Sequence, residues 1–323
     1  MDEALHCQEA IRRASEFLRG RIREDLCFLD CFTPDGTPSP VHRQGKVFAA
    51  FFIASAAADR LDAGEAELLR TRILSEARDG LWGYGPEAPL DSDDTAFALR
   101  ALALVGAPQP TDPLMAFYRP SARLFLTFQS SARGWLEVVP SVANNMQVHA
   151  DVAANIYSLL WDRQTLEYMN EELIRGAQAE DGYWRPYFYP SLYYAAHMFL
   201  ELLRGTRALP GARQRGLEFV RESRNRDGTW GAPGCPYETA LALNTLQTSG
   251  EREPGAGAAV RALLGSQARD GSWSTRKVIW RFRYSPTEDW LAYDSNRVVT
   301  TALAVQALRR HLNGAGHSQE GIS

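Results

Sequence analysis

"DGLWGYGPEAPLDSDDTAFALRAL", residues 79–102, contains both elements that decide the fold. It opens on a D-G turn followed by Trp82 and closes in an apolar run of helical period headed by Asp91, Asp93 and Asp94. The first element recurs as "QSSARGW" (129–135), "QAEDGYW" (178–184), "RNRDGTWG" (224–231) and "QARDGSW" (267–273), placing tryptophans at Trp82, Trp135, Trp184, Trp230 and Trp273. The period is roughly 45–50 residues, one helix pair per repeat. A fainter copy without tryptophan, "FTPDGTPSP" (32–40), lies upstream.

The second element recurs as "VFAAF", "DDTAF", "DVAAN", "YYAAH", "YETAL" and "VTTAL". Each carries a small pair at its middle: Ala49-Ala50, Thr95-Ala96, Ala153-Ala154, Ala195-Ala196, Thr239-Ala240 and Thr301-Ala302. Small residues let helices approach closely. Six such copies predict an all-α, single-domain (α/α)6 toroid, two concentric rings of six helices, with an open solenoid as the alternative. The ring proper spans 47–312. Residues 1–46 form a helical segment that caps or completes it, and 313–323 form a flexible tail. The inner helices of such a ring begin around one cavity, so function is sought there.

Composition narrows the classes. The 323 residues are 45% hydrophobic and 23% charged, enough for a sizeable core. A net charge of −4 with dispersed basic residues gives no nucleic-acid footprint. Only Lys46 and Lys277 are lysines. Cys7, Cys27, Cys31 and Cys235 lack regular spacing, and neither a signal peptide nor a long apolar span is visible, which reads as a soluble cytoplasmic chain with at most peripheral membrane contact.

Aligning the six copies by the small pair separates two explanations of the acids. Asp94 shares its column with Glu238, so capping or the helix dipole explains it. Asp93 shares a column with Asp151, which places acids from adjacent repeats in one part of the ring. Asp91 shares its column with no recurrent type, and capping explains Asp91 and Asp93 poorly. Crowded, buried carboxyls hold protons at neutral pH, and such a proton can be delivered to a C=C bond in a dry cavity. Aromatic faces then stabilise the cation without attacking it, and the chain has 8 Trp, 12 Tyr and 14 Phe.

At this point "DSDDTA" (91–96) resembles the DxDDTA motif of class II terpene cyclases, and the D-G-x-W repeats resemble that family's QW motifs on the same toroid. The resemblance covers roughly residues 75–305. It implies a class II-type cyclase, protonating and then cyclising or isomerising a prenyl or polyene substrate, with Asp93 as general acid and Asp91 and Asp94 flanking it. "HADVAANIY" (149–157) resembles the family segment that supports the acid; Asp151 matches its aspartate, and Asn155 stands in place of its histidine. An asparagine can hold geometry but carries no positive charge. "DGYWRPYFYPSLYYAA" (181–196) resembles the stretch that brings aromatics to the cavity. Phe97, Trp184, Tyr187, Phe188 and Tyr194 are expected to shape the substrate site, with His149 and His197 as candidate terminating bases.

The ring fold also serves zinc-dependent prenyltransferases, but Cys235 lacks a D-x-C partner and no zinc is expected. No cofactor is implied, except Mg2+ if the substrate is a diphosphate; no clear EDxxD-like motif is present. Arg281 and Arg283 are candidates for an anionic head group. Full-length class II cyclases close the cavity with a second, γ domain for which this chain has no room, so residues 1–46, a second copy or a partner protein would have to close it. The alternatives are a cationic cyclase of a prenylated aromatic or alkaloid-type precursor, and a non-catalytic isoprenoid-binding toroid or partner subunit.

Overall fold

The computed structural model describes residues 3–33, 35–85, 88–128, 148–160, 169–204, 206, 208–248, 253, 255–285 and 288–316. Helix and connector alternate through it. The helices are α1 (Glu3–Arg23), α2 (Lys46–Ala57), α3 (Ala63–Ser75), α4 (Ser92–Leu104), α5 (Ala150–Leu160), α6 (Glu171–Ala177), α7 (Leu192–Arg204), α8 (Pro210–Glu222), α9 (Pro236–Thr248), α10 (Ala256–Ser266) and α11 (Val298–Gly316).

Every small pair sits on one of α2, α4, α5, α7, α9 and α11, and all twelve residues are buried. These helices pack in chain order, and α11 returns against α2, which closes the inner ring and excludes an open solenoid. Helices α1, α3, α6, α8 and α10 lie outside, and a 3-10 helix, Asp112–Phe117, packs on α4 where a sixth outer helix is expected. Inner helices such as α9 are buried on nearly every face, whereas outer α8 buries one stripe of Ala212, Gly216, Leu217 and Val220.

The tryptophan turns tie the rings together. Trp82, Trp184, Trp230 and Trp273 are at most 2% exposed. Each indole Nε1 donates to a carbonyl near the end of the preceding outer helix: Ile73 (2.7 Å), Ile174 (3.1 Å), Val220 (2.6 Å) and Leu263 (2.7 Å). Orphan helix-end carbonyls are thereby satisfied. The backbone N–H groups of Trp82, Trp230 and Trp273 donate to Thr95, Thr239 and Thr301 (3.0, 3.2 and 3.0 Å), so threonine in the small pair anchors the turn as well as sparing room. At Gly182, φ is 88° and an added Cβ would meet the Arg215 carbonyl, which explains the glycine. Trp135 lies outside the described residues.

The helical ring also carries three small sheets. Strands β1 (Leu29–Phe32), β2 (Pro38–Gln44), β7 (Val278–Ser285) and β8 (Glu288–Tyr293) form an antiparallel sheet ordered β2-β1-β8-β7; β3 (Trp82–Gly83) with β4 (Leu90–Asp91), and β5 (Tyr118–Arg119) with β6 (Leu124–Phe125), are two-residue ribbons. Within segment 1–46 the N-terminal helix ends at Arg23 and β1 and β2 follow before Lys46 opens α2, so "FTPDGTPSP" falls where β1 joins β2 rather than in a ring repeat. Helix α11 runs past residue 312 to Gly316.

The sheet lies over the end of the ring where the inner helices begin. Inside the ring Phe48, Phe52, Phe97 and Tyr194 form an aromatic plug, with Phe48–Phe97 centroids 5.1 Å apart and Phe52–Tyr194 6.5 Å apart. Among the described residues no helix is long and apolar enough to cross a membrane.

Candidate active site

Between plug and sheet lies a cavity of about 640 Å³, counting the part open to solvent, within the usual range for small-molecule pockets. The start of α4 gives it Asp91, Asp93 and Asp94, and the sheet gives it Cys31, Gln44, Trp280, Phe282 and Trp290; Tyr84, Thr127, Phe128, Val152 and Phe188 complete most of the wall. The rings form a continuous stack. Tyr84 lies on Trp280 at 4.0 Å, Trp280 beside Phe282 at 5.7 Å, and Phe188 at 6.2 Å from Trp280.

The three aspartates have different surroundings. Asp91 is the N-cap of α4, its Oδ1 accepting from the Asp94 N–H at 2.7 Å. Capping thus explains the residue that the column comparison had set apart. Burial raises both Asp91 and Asp94, the latter to about 7; the charge of Asp94 raises Asp91 further, while the hydrogen bond with Asp91 opposes the rise of Asp94.

Asp93 caps nothing. It is 6% exposed and faces the cavity. Asn155 Nδ2 donates to Oδ1 at 2.8 Å, and Tyr189 Oη donates to Oδ2 at 2.5 Å. Burial, then the charge of Asp94, pushes the Asp93 carboxyl well above the ordinary range; the bonds from Tyr189 and Asn155 oppose this.

Asp151 supports the site at one remove. Its Oδ2 accepts from the N–H groups of Tyr187 and Phe188, both at 3.0 Å, fixing the loop that carries Phe188 to the cavity and Tyr189 to Asp93. It is not bonded to Asp93; it adds only a minor charge effect there.

The other expected site residues are dispersed. Phe188 lines the cavity, with Tyr187 stacked behind it on His149 at 4.0 Å. His149 Nδ1 lies 2.8 Å from Thr127 Oγ1, and burial pushes its imidazole down to about 4, leaving it neutral at pH 7. Phe97 and Tyr194 belong to the plug beneath Tyr189 rather than to the wall. Trp184 is a ring-tying tryptophan stacked on Phe199, away from the cavity. His197 opens on the far side of the plug, into a second pocket lined also by Arg100, Glu201, Arg309 and Arg310.

Arg281 does not line the cavity: strand alternation gives Trp280 and Phe282 to it instead. The side chain of Arg283 lies outside what is described. Sequence reading passed over Tyr189 as a partner of the acid, along with Tyr84, Gln44 and the sheet tryptophans. The W-R-F alternation at 280–282 was the available signal for the sheet. Among the described residues no cluster of three or more His, Cys, Asp or Glu is arranged to hold a metal.

No family model matches the chain. Among curated proteins it is similar to a copalyl diphosphate synthase from Streptomyces cyslabdanicus, at 27% identity over 175 residues covering 49% of this chain and 30% of that protein. It is also similar to an ent-copalyl diphosphate synthase from Streptomyces sp. strain KO-3988, at 31% over 212 residues covering 61% and 37%. The chain thus spans about a third of the length of these relatives.

Among solved structures, a variant of the type II terpene cyclase MstE from Scytonema, in complex with its substrate geranylgeranyl dihydroxybenzoate, superposes with a TM-score of 0.77 at 19% identity, covering 96% of this chain and 99% of that one. An ent-copalyl diphosphate synthase from Streptomyces platensis superposes with a TM-score of 0.63 at 22% identity, covering 84% and 52%. These likenesses establish the fold as one found in terpene cyclases.

Proposed function

We propose that this chain is a class II-type terpene cyclase, in which Asp93 protonates a C=C bond of a prenyl or polyene substrate and the resulting cation cyclises. The observation that carries the reading is one buried, non-capping aspartate at the inner end of an aromatic-walled cavity. Its O–H bond breaks as the alkene π pair forms a new C–H bond, leaving a carbocation and the Asp93 carboxylate. Tyr189 and Asn155 both donate to that carboxylate, so the conjugate base is stabilised as it forms. A neighbouring C=C bond attacks the cation, and loss of a proton ends the sequence, giving a product isomeric with the substrate.

Trp280, Phe282, Tyr84 and Phe188 offer ring faces to the cation, each contact worth about 0.5–2 kcal/mol. Neutral His149, behind Phe188, is a candidate for the terminating base. The chain's own sheet covers the cavity, a role that a second copy or a partner would otherwise fill. Cys7, Cys27, Cys31 and Cys235 are buried and form no disulfide among the described residues, which suits a reducing compartment such as the cytoplasm.

A second observation bears on the head group. The described polar side chains of the wall other than the acids are Gln44, Tyr84, Thr127, Cys31 and the indoles of Trp280 and Trp290, all uncharged at neutral pH. They suit a hydrogen-bonding prenylated aromatic better than a diphosphate, as does the end-to-end superposition on a cyclase bound to such a substrate. Mg2+ enters only with a diphosphate.

The test is a panel of prenyl diphosphates, polyprenols and prenylated aromatics, incubated with wild type and Asp93→Asn and resolved by mass spectrometry. A cyclised isomer formed by wild type alone supports the reading. Substrate binding without turnover in either protein points to a non-catalytic isoprenoid carrier.

A further inference from the structure

The asparagine at 155 raised a question of charge: it holds Asp93 but cannot itself favour the ionised form as a cation would. We infer that Arg100 supplies that charge through Asn155, acting as a positioning residue that orients the amide toward Asp93 and strengthens it as an acid. This rests on the proposal that Asp93 is the proton donor.

The geometry is a relay of three side chains. Arg100 Nη1 donates to Asn155 Oδ1 at 2.6 Å, while Asn155 Nδ2 donates to Asp93 Oδ1 at 2.8 Å and to the Asp93 carbonyl at 3.2 Å. A guanidinium has no acceptor. The amide oxygen must therefore face Arg100, and the amide NH2 is left to face the acid. Polarisation by the guanidinium makes that NH2 a stronger donor, since linked hydrogen bonds reinforce one another where the dielectric is low. Arg100 lies two helical turns beyond Asp93 on α4, its guanidinium 4.5 Å over the Phe51 ring. It opens on the second pocket, on the far side of the aromatic plug from the cavity. It reaches the acid through Asn155.

The groups facing the two ends define the electrostatics. Around Asp93 stand Asp91 and Asp94 from α4, Asp151 from α5, and Tyr189 and Tyr194 at and before α7. Around Arg100 stand Tyr194, His197 and Glu201 from α7, and Arg309 and Arg310 from α11, while α2 offers only Phe51, Phe52 and Ser55. Burial lowers the Arg100 guanidinium from its usual value, while Tyr194 and Asp93 when ionised, and Glu201, act to raise it. Burial also depresses His197 to about 4, so it is neutral near pH 7 and does not take over the role of Arg100.

The test compares Arg100→Gln, which can still donate to Asn155 but has no charge, with Arg100→Lys, which keeps the charge. Two readouts are taken: the pH profile of kcat, and the infrared band of the protonated Asp93 carboxyl, assigned by its loss in Asp93→Asn. Removing the cation should raise the Asp93 pKa by about one unit. In Arg100→Gln the alkaline limb and the infrared titration should both move upward by that amount, kcat near pH 7 should fall roughly tenfold, and KM should stay within about twofold. Arg100→Lys should restore most of the shift. Arg100→Gln combined with Asn155→Ala should be no worse than Asn155→Ala alone, since the effect passes through the amide.

A fall in kcat that follows the folded fraction, with limb and band unmoved, overturns the inference and leaves Arg100 a packing residue. Wild type with no turnover but a titrating Asp93 band would instead break the proposed function, and the infrared shift would still decide the role of Arg100.

Discussion

Two helix starts in the same ring, at α4 and α9, handle buried acids in opposite ways. Glu238 at α9 occupies the column of Asp94 and is 5% exposed. Its Oε2 pairs with Lys277 at 3.0 Å and accepts from the Ala232 N–H at 3.2 Å, while Ser191 Oγ donates to Oε1 at 3.2 Å. That carboxylate is met by a cation and by fixed donors, as a structural acid should be. At α4 the acids are met by one another. Asp91 caps the helix by accepting from the Asp94 N–H, and Asp93 turns to the cavity between two uncharged donors. A carboxylic acid is kept protonated by denying it a direct cation, and acids at matching positions of one repeat fold can therefore do different work.

The hardest test of this contrast is Asp93→Asn. Turnover should fall by roughly 10³-fold or more, with the thermal midpoint unchanged or slightly raised, since the buried acid removed is held by uncharged donors rather than by an ion pair. Loss of the fold in place of loss of chemistry would make Asp93 structural, like Glu238.

Next in size is the wall that receives the cation. Trp280→Leu should reduce kcat roughly tenfold, one cation–aromatic contact of about 1–2 kcal/mol, and release prematurely quenched products visible by mass spectrometry. A normal product spectrum at normal rate would remove Trp280 from the cation's path.

The acids also leave a signature in stability against pH. Asp94 is pushed up to about 7 by burial, above its unfolded value of about 4. The stability it contributes is therefore full below pH ~4 and is lost as pH rises through ~7. Urea unfolding should show wild type losing on the order of 2 kcal/mol between pH 5 and 8, and Asp94→Asn losing clearly less. Equal slopes would take Asp94 out of this pH dependence. His149, held down at about 4, acts in the opposite sense, its contribution being lost only as pH falls from ~6.5 through ~4.

The smallest effect belongs to the other side of the comparison. Lys277 is 41% exposed, so solvent screens its pair with Glu238. Glu238→Gln should cost about 1 kcal/mol of stability and leave kcat within about threefold.

The ring was readable because its repeat is chemical as well as periodic. The D-G turn demands a left-handed glycine, and the tryptophan closes the preceding helix, so both recur wherever a helix pair ends. The sheet was not readable the same way: "IWRFRY" invited a reading of its arginines, while the strand gives Trp280 and Phe282 to the cavity. Asp91 was judged too unlike its column to be a cap, although an aspartate three residues before Asp94 is an ordinary N-cap pattern. Tyr189 and Arg100 meet Asp93 and Asn155 from across the ring or from two turns along a helix. Arg100 had a local signal, seven residues from Asp93 on one helix, whereas the Tyr189 contact spans 96 residues and exists only once the ring has closed.

The central claim is that a proton from Asp93 becomes a C–H bond of the product. Its most direct test is turnover in D2O with the substrate that the panel identifies, wild type beside Asp93→Asn. The account predicts a cyclised product one deuterium heavier than the unlabelled isomer from wild type, and no such product from the variant. A cyclised product without deuterium, or equal labelled product from Asp93→Asn, would contradict it.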